Sequence, residues 1–266
     1  MSLIDRRFRV ESRAGEGAFG VVYRAVDLTT SRAVAVKVLE RRRTDFARFE
    51  REAEVLASVL HPRVVQYVAH GLTEDGSPYL AMEWLDGIDL AERIEQGVLP
   101  IAEALTVVRI AAEGLGAAHA LGVIHRDVKP SNIRLVGGRT DDVRVIDFGV
   151  SRAPRSRLTS EGTIFGTPEY MAPEQAEGRA LTPRADVWAL GCVLYACLVG
   201  ESPFAAVNAR ATMLKLLREE APRVSARRGD VPASVDDAVA RMLSRDPAGR
   251  PADGREVAEI MGYARP

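Results

Sequence analysis

His125-Arg126-Asp127-Val128-Lys129-Pro130-Ser131-Asn132 and, further along, Asp147-Phe148-Gly149 concentrate an unusual set of side chains in two short strings. The first places a carboxylate, an ammonium and an amide on one loop. The second adds another carboxylate. Together they are the groups needed to move a phosphoryl group from a magnesium-bound nucleoside triphosphate: a proton acceptor, a positive charge to steady the phosphate, and oxygen ligands for a hard cation.

Composition sets outer bounds on this chemistry. Of 266 residues, 47% are hydrophobic and 27% charged, a globular composition with enough apolar material for one or two domains. The formal net charge of -1 gives no electrostatic reason to expect nucleic acid or an acidic membrane surface as a partner. Cys192 and Cys197 sit in an apolar run and read as packed thiols, not a disulfide or metal pair, which suits a reducing cytoplasm. The longest apolar stretch, residues 187–200, is too short to span a bilayer, and residues 1–9 lack the apolar core of a signal peptide, so no membrane segment is expected.

Residues 8–39 alternate and are β-branched, with Val21-Val22-Tyr23 and Ala33-Val34-Ala35-Val36-Lys37-Val38 as strands on either side of a polar turn at Thr29-Thr30-Ser31. Phe46, Phe49, Ala53, Leu56 and Val59 then follow at helical spacing until Pro62 forbids continuation. Beyond Gly87 the pattern is mainly helical, most clearly over residues 101–121 and 184–199.

Within the strand region, Gly15-Glu16-Gly17-Ala18-Phe19-Gly20-Val21-Val22 puts glycines where a backbone must approach triphosphate oxygens with no Cβ in the way. Dinucleotide-binding loops share this glycine spacing but open a helix. Here the following residues alternate as a strand, which favours a hairpin over the phosphates. Lys37 ends a Val-Ala-Val-Lys motif within an otherwise apolar strand, so its ammonium must reach an anion or solvent.

With Ala172-Pro173-Glu174 added, these strings follow one another in the order and spacing of the protein kinases over nearly the whole chain. The sequence resembles that family, and most of all the compact serine/threonine kinases of bacteria. The resemblance implies an α+β, two-lobed protein-kinase fold in one domain, residues 1–266. Its N-lobe, residues 1–85, would be a small antiparallel β-sheet with one main helix, and its C-lobe, residues 86–266, would be larger and mainly helical.

The resemblance also implies roles. Asp127 would accept or orient the substrate hydroxyl proton, Lys129 would neutralise the transferring γ-phosphoryl group, and Asn132 with Asp147 would hold Mg2+, with Mn2+ as an alternative. Lys37 would meet the α- and β-phosphates of ATP and a helix glutamate. Spacing to His61-Pro62 selects Glu52 for that role and leaves Glu50 and Glu54 facing solvent. Gly15, Gly17, Gly20, Val22 and Ala35 complete the phosphate and base region. The backbone of Glu83 and Leu85, after Met82, would read adenine, and Asp89 would meet the ribose. The chain departs from the family at Arg134, where an apolar residue usually lies under adenine; the guanidinium either stacks on the base, bends away from it, or weakens its binding.

Lys129 two residues after Asp127, and Gly166-Thr167 ahead of Ala172-Pro173-Glu174, resemble kinases acting on Ser and Thr. The implied partners are proteins with Ser/Thr acceptors, the chain itself included, and a transient homodimer; no nucleic acid is implied. Thr167 would brace Asp127 and Lys129, Glu174 would pair with Arg250, and Asp186 and Trp188 match the helix that anchors the catalytic loop. Arg126 beside the base, with Arg152, would receive an activation-loop phosphate, with Thr163 the first candidate and Thr159 the second. The competing class is a pseudokinase that keeps the fold as a binding or scaffolding module without turnover. A small-molecule phosphotransferase is disfavoured by the complete substrate-docking loop ending at Glu174.

Overall fold

The structure is a computed structural model of the chain and describes residues 3–17, 20–40, 46–148 and 168–264. Gly149, Arg152, Thr159, Thr163 and Thr167 lie outside the described residues. The chain divides into two compact units, one running to Asp86 and the other starting at Gly87.

The first unit is an antiparallel sheet of six strands with one helix. The strands are β1 (Leu3–Ile4), β2 (Phe8–Gly17), β3 (Gly20–Asp27), β4 (Arg32–Leu39), β5 (Tyr67–Leu72) and β6 (Pro78–Glu83), in the order β1-β2-β3-β4-β6-β5. Period-two burial explains the pairing. Ala25, Val34, Val36, Tyr79 and Ala81 point to one face and form a core with Phe8 and Ile4, while the intervening residues point to the other face. At the polar turn after β3, Asp27 is buried and accepts two hydrogen bonds from the Arg7 guanidinium at 2.9 and 2.8 Å and one from the Thr29 N–H at 3.0 Å. The guanidinium holds the Asp27 carboxyl far below the usual carboxylate range against the opposing push of burial, with Thr29 and Thr30 assisting.

Helix α1 (Phe46–Ser58) buries Phe49, Ala53 and Leu56 and leaves Glu50 and Glu54 exposed, as its sequence spacing requires. Phe49 meets the His70 ring edge-on at 6.0 Å. His70 lies opposite Leu80, and Leu80 lies opposite Lys37, so α1 covers the sheet face that carries Lys37.

The second unit holds α2 (Leu90–Glu95), α3 (Ile101–Ala120), α4 (Pro173–Ala176), α5 (Arg184–Val199), α6 (Ala209–Arg218), α7 (Ala233–Met242) and α8 (Gly254–Tyr263). Helix α5 is apolar on all sides and buried from Ala185 to Leu198, with α3, α7 and α8 packed against it. It stops at Gly200, whose φ of 94° only glycine adopts without strain. A three-stranded antiparallel sheet, β7 (Gly87–Asp89), β8 (Ile133–Val136) and β9 (Val143–Val145), frames the motif loops. Its strands are too short for periodicity to reveal them. Among the described residues no helix is long and apolar enough to cross a membrane.

Candidate active site

In the smaller unit, register alone collects most of the sequence-predicted nucleotide residues on one face. Gly15 pairs with Val22, Val22 with Lys37, and Lys37 with Leu80; Ala35, two residues before Lys37, pairs with Met82. Gly15, Val22, Ala35 and Lys37 therefore share the face opposite the core, and α1 brings half-buried Glu52 over that face. The pairing of β2 with β3 continues to Gly17 opposite Gly20, so the glycine-rich segment is a hairpin and not the start of a helix.

The glycines of this hairpin differ in their surroundings. A Cβ on Gly20 would lie 2.0 Å from the Val38 carbonyl oxygen, and its φ is 148°, so the chain's own packing demands glycine there. A Cβ on Gly15 would meet nothing within 4 Å. Internal packing therefore sets no demand for glycine at Gly15.

Residues 84–86 follow β6, which ends at Glu83. The Glu83 N–H donates to the Gln66 carbonyl at 2.9 Å, the Gln66 N–H donates to the Glu83 carboxylate at 2.9 Å, and the Trp84 N–H donates to the Ala33 carbonyl at 3.4 Å. Met82, just before, is buried.

In the larger unit the catalytic-loop candidates gather around one buried carboxylate. Asp186, in the first turn of α5, accepts the backbone N–H of His125 at 2.8 Å and of Arg126 at 2.9 Å, and the Nε2–H of His119 at 2.9 Å. His119 accepts the Gly254 N–H on Nδ1 at 3.1 Å, which fixes it as a neutral imidazole donating through Nε2. Burial pushes the Asp186 carboxyl up, but the His119 hydrogen bond and the His125 backbone donor hold it below the ordinary range. His119 and Gln175 are two contributors that the sequence did not single out for this loop. Gln175 donates through Nε2 to the Arg126 carbonyl at 2.9 Å. Anchored at both backbone groups, Arg126 is held at a φ of 66°, a conformation that needs such over-determination.

That anchorage presents Asp127, Lys129 and Asn132 together. Asn132 donates through Nδ2 to the Asp127 carbonyl at 2.8 Å and to its Oδ2 at 3.0 Å, and Lys129 Nζ lies 3.5 Å from the same Oδ2. Asp147 is tied in from both sides. The Ile146 N–H donates to the Asn132 carbonyl at 3.0 Å, His125 Nε2 donates to the Ile146 carbonyl at 2.9 Å, and the Phe148 ring packs on His125 at 4.5 Å. Asp147 itself has a φ of 58°. Both motif strings thus contain a non-glycine residue in the left-handed region.

The donor chemistry suits a hard divalent cation. With Nδ2 of Asn132 engaged by Asp127, its Oδ1 remains an amide oxygen ligand, and Asp147 adds a carboxylate. No group of three His, Cys, Asp or Glu residues that would hold a metal occurs among the described residues.

On the substrate side, Glu174 and Arg250 form a buried bidentate pair at 2.7 and 3.0 Å. The other Arg250 donors reach the Ser244, Arg184 and Arg245 carbonyls, and the guanidinium lies 4.8 Å over the Trp188 ring, which stacks on Phe204. Cys192 and Cys197 are fully buried on α5; burial raises the Cys192 thiol well out of the reactive range and pushes Cys197 up to about 12.

Asp89 has a structural role of its own, because its carboxylate caps α2 by accepting the Glu92 N–H at 3.0 Å. Arg134, directly opposite Asp89 in the β7–β8 register, donates to the Gly87 carbonyl at 2.5 Å.

The family model described as protein kinase domain matches residues 8–261. The chain is 40% identical over 266 residues to serine/threonine-protein kinase pkn3 of Myxococcus xanthus, covering 94% of this chain and 48% of that protein. It is 37% identical to serine/threonine-protein kinase PknL of Mycobacterium tuberculosis, covering 95% of this chain and 64% of the relative. It is 35% identical to serine/threonine-protein kinase PknB of the same organism, covering 94% and 41%. The chain spans about half the length of the curated relatives it matches.

Proposed function

Because the chain belongs to the protein kinase family, we propose that it is a serine/threonine protein kinase that moves the γ-phosphate of ATP to Ser or Thr hydroxyls of proteins. The observation that carries this reading is the group around Asp127: a carboxylate braced by Asn132, with an ammonium 3.5 Å away, on a loop whose backbone is anchored to buried Asp186.

Asp127 takes or orients the proton of the acceptor hydroxyl, so that its oxygen attacks the γ-phosphorus as the bond to the β-phosphate oxygen breaks. Lys129 neutralises charge on the transferring group. Asn132 and Asp147 would hold the divalent cation, Mg2+ or Mn2+, which when bound would supply further neutralisation of the phosphate oxygens. Lys37, braced by Glu52, takes the α- and β-phosphates. Gly15, Gly17, Gly20, Val22 and Ala35 form the roof over them, the backbone of Glu83 and Leu85 takes the adenine edge, and Asp89 meets the ribose. In this reading residues 1–85 are the N-lobe and residues 86–266 the C-lobe of one protein kinase domain.

Autophosphorylation at Thr163, with Thr159 second, is part of the proposal. Among the described residues the Arg126 Nε is buried without a hydrogen-bond partner, as a cation reserved for an incoming anion would be. Thr167 braces Asp127 and Lys129. A transient homodimer would let one copy modify another, and two core thiols suit a reducing cytoplasm.

Incubation with radiolabelled ATP, Mg2+ and a generic basic protein tests the activity. Label should enter the protein substrate and the chain itself and be lost with Asp127→Asn; equal labelling by both would leave only the binding-module reading. Intact mass measurement of the Thr163→Ala, Thr159→Ala double variant should show fewer added phosphates and lower turnover; unchanged turnover would remove the regulatory part alone.

A further inference from the structure

We propose that Arg24 and Trp84 form a latch that fixes residues 83–86 against the sheet and thereby sets nucleotide affinity, with Arg24 as a positioning residue. The inference rests on the reading that the backbone of Glu83 and Leu85 takes the adenine edge. It concerns only the smaller unit.

The register places Arg24 opposite Ala35, and Ala35 opposite Met82, so the Arg24 side chain rises from the face that also carries Val22 and Lys37. Its guanidinium lies over the Trp84 ring, 5.2 Å from the centroid, which is cation–π distance. The opposite strand supplies a counter-charge. A bulge between Val10 and Ser12 leaves Glu11 without a partner in the ladder, and its Oε2 lies 3.3 Å from Arg24 Nε.

Trp84 is the middle residue of the proposed adenine-reading segment, and its indole is held from a second direction: Nε1 donates to Asp86 Oδ1 at 2.9 Å. By contrast, its main-chain bond to the sheet, the 3.4 Å bond to Ala33, is long. The ring is thus gripped at its edge by Asp86 and at its face by Arg24, and the backbone groups on either side of it are positioned before a ligand arrives. A segment ordered in advance does not lose that freedom on binding, so the latch should appear as affinity.

The size of the effect follows from the type of contact. An exposed cation–π pair contributes about 0.5–1 kcal/mol, which corresponds to about two- to fivefold in a dissociation constant. The test is calorimetric titration of the whole chain with ADP, for wild type, Arg24→Met, Arg24→Lys, Trp84→Leu and the Arg24→Met, Trp84→Leu double variant. Arg24→Met should weaken ADP by about two- to fivefold, with the melting temperature lowered by no more than about 4 °C and the kinetic loss in KM for ATP, not in kcat. Arg24→Lys, which keeps the charge, should recover most of the affinity, and the double variant should bind no more weakly than Trp84→Leu. Wild-type affinity in Arg24→Met, or losses that add in the double variant, would overturn the latch while leaving the kinase reading intact. A wild-type chain that binds no ADP would overturn both.

Discussion

Removing the Glu174 carboxylate should destabilise the larger unit far more than removing any exposed ion pair, and the structure indicates by how much. Arg250 is 1% exposed, and its five N–H donors meet five acceptors: both oxygens of Glu174 and the carbonyls of Arg184, Ser244 and Arg245. Glu174→Ala would leave a buried guanidinium with three neutral carbonyls and the face of Trp188 but no counter-ion. Breaking a buried pair from one side costs about 3–5 kcal/mol, because the remaining charge keeps its desolvation penalty and loses its compensation. At about 2–4 °C per kcal/mol for a domain of this size, the melting temperature should fall by about 6–20 °C. Glu174→Gln keeps the shape and one acceptor oxygen, so it should lie between the two. The measurement is urea and thermal unfolding followed by far-UV circular dichroism, with the solvent-exposed pair Arg139–Asp141 as a control that should cost almost nothing when broken. A Glu174→Ala variant within about 1 kcal/mol of wild type would refute the claim that this pair is a buried charge in need of its partner.

The hairpin glycines should separate by readout. Gly20→Ala forces a Cβ into the Val38 carbonyl at an unfavourable φ and should cost about 1–3 kcal/mol of stability or more, whereas Gly15→Ala should melt as wild type and show its loss in ATP binding; equal melting of the two would contradict the close approach at Gly20. Asp127→Asn should lower phosphate transfer by about 10²-fold or more while ADP binding persists, since a general base contributes on that scale; retained turnover would sink its role. For Asp27 the folded carboxyl is held far below its ordinary value, so its contribution is complete above about pH 4, the unfolded value, and is lost as pH falls below it. The stability gap between wild type and Asp27→Asn should therefore be constant near neutrality and narrow in acid; a gap unchanged in strong acid would refute the Arg7 pairing. Cys192 and Cys197 should resist a thiol reagent in the native protein and react after denaturation; rapid native labelling would contradict their burial.

Some of this protein is determined locally and was therefore legible in the chain. β4 alternates with period two, α1 repeats at helical spacing, and α5 is apolar on all sides, so each element follows from the residues within it. The motif strings carry their chemistry in residue type, and the pairing of Glu174 with Arg250 was implied by the family resemblance those strings carry. The short strands β7, β8 and β9 left no such trace, since three or four residues hold too few periods to read. Nor did Gln175 gripping Arg126, His119 donating to Asp186, Arg134 turning to Gly87, or Arg24 lying over Trp84. Those contacts join residues 47 to 67 positions apart, or follow from a strand register and a bulge, and a polar side chain carries no local sign of which distant group will satisfy it. Residue types along the chain thus determined the elements and the available chemistry, whereas which donor meets which acceptor depended on chain closure in three dimensions, where each buried polar atom must find a partner.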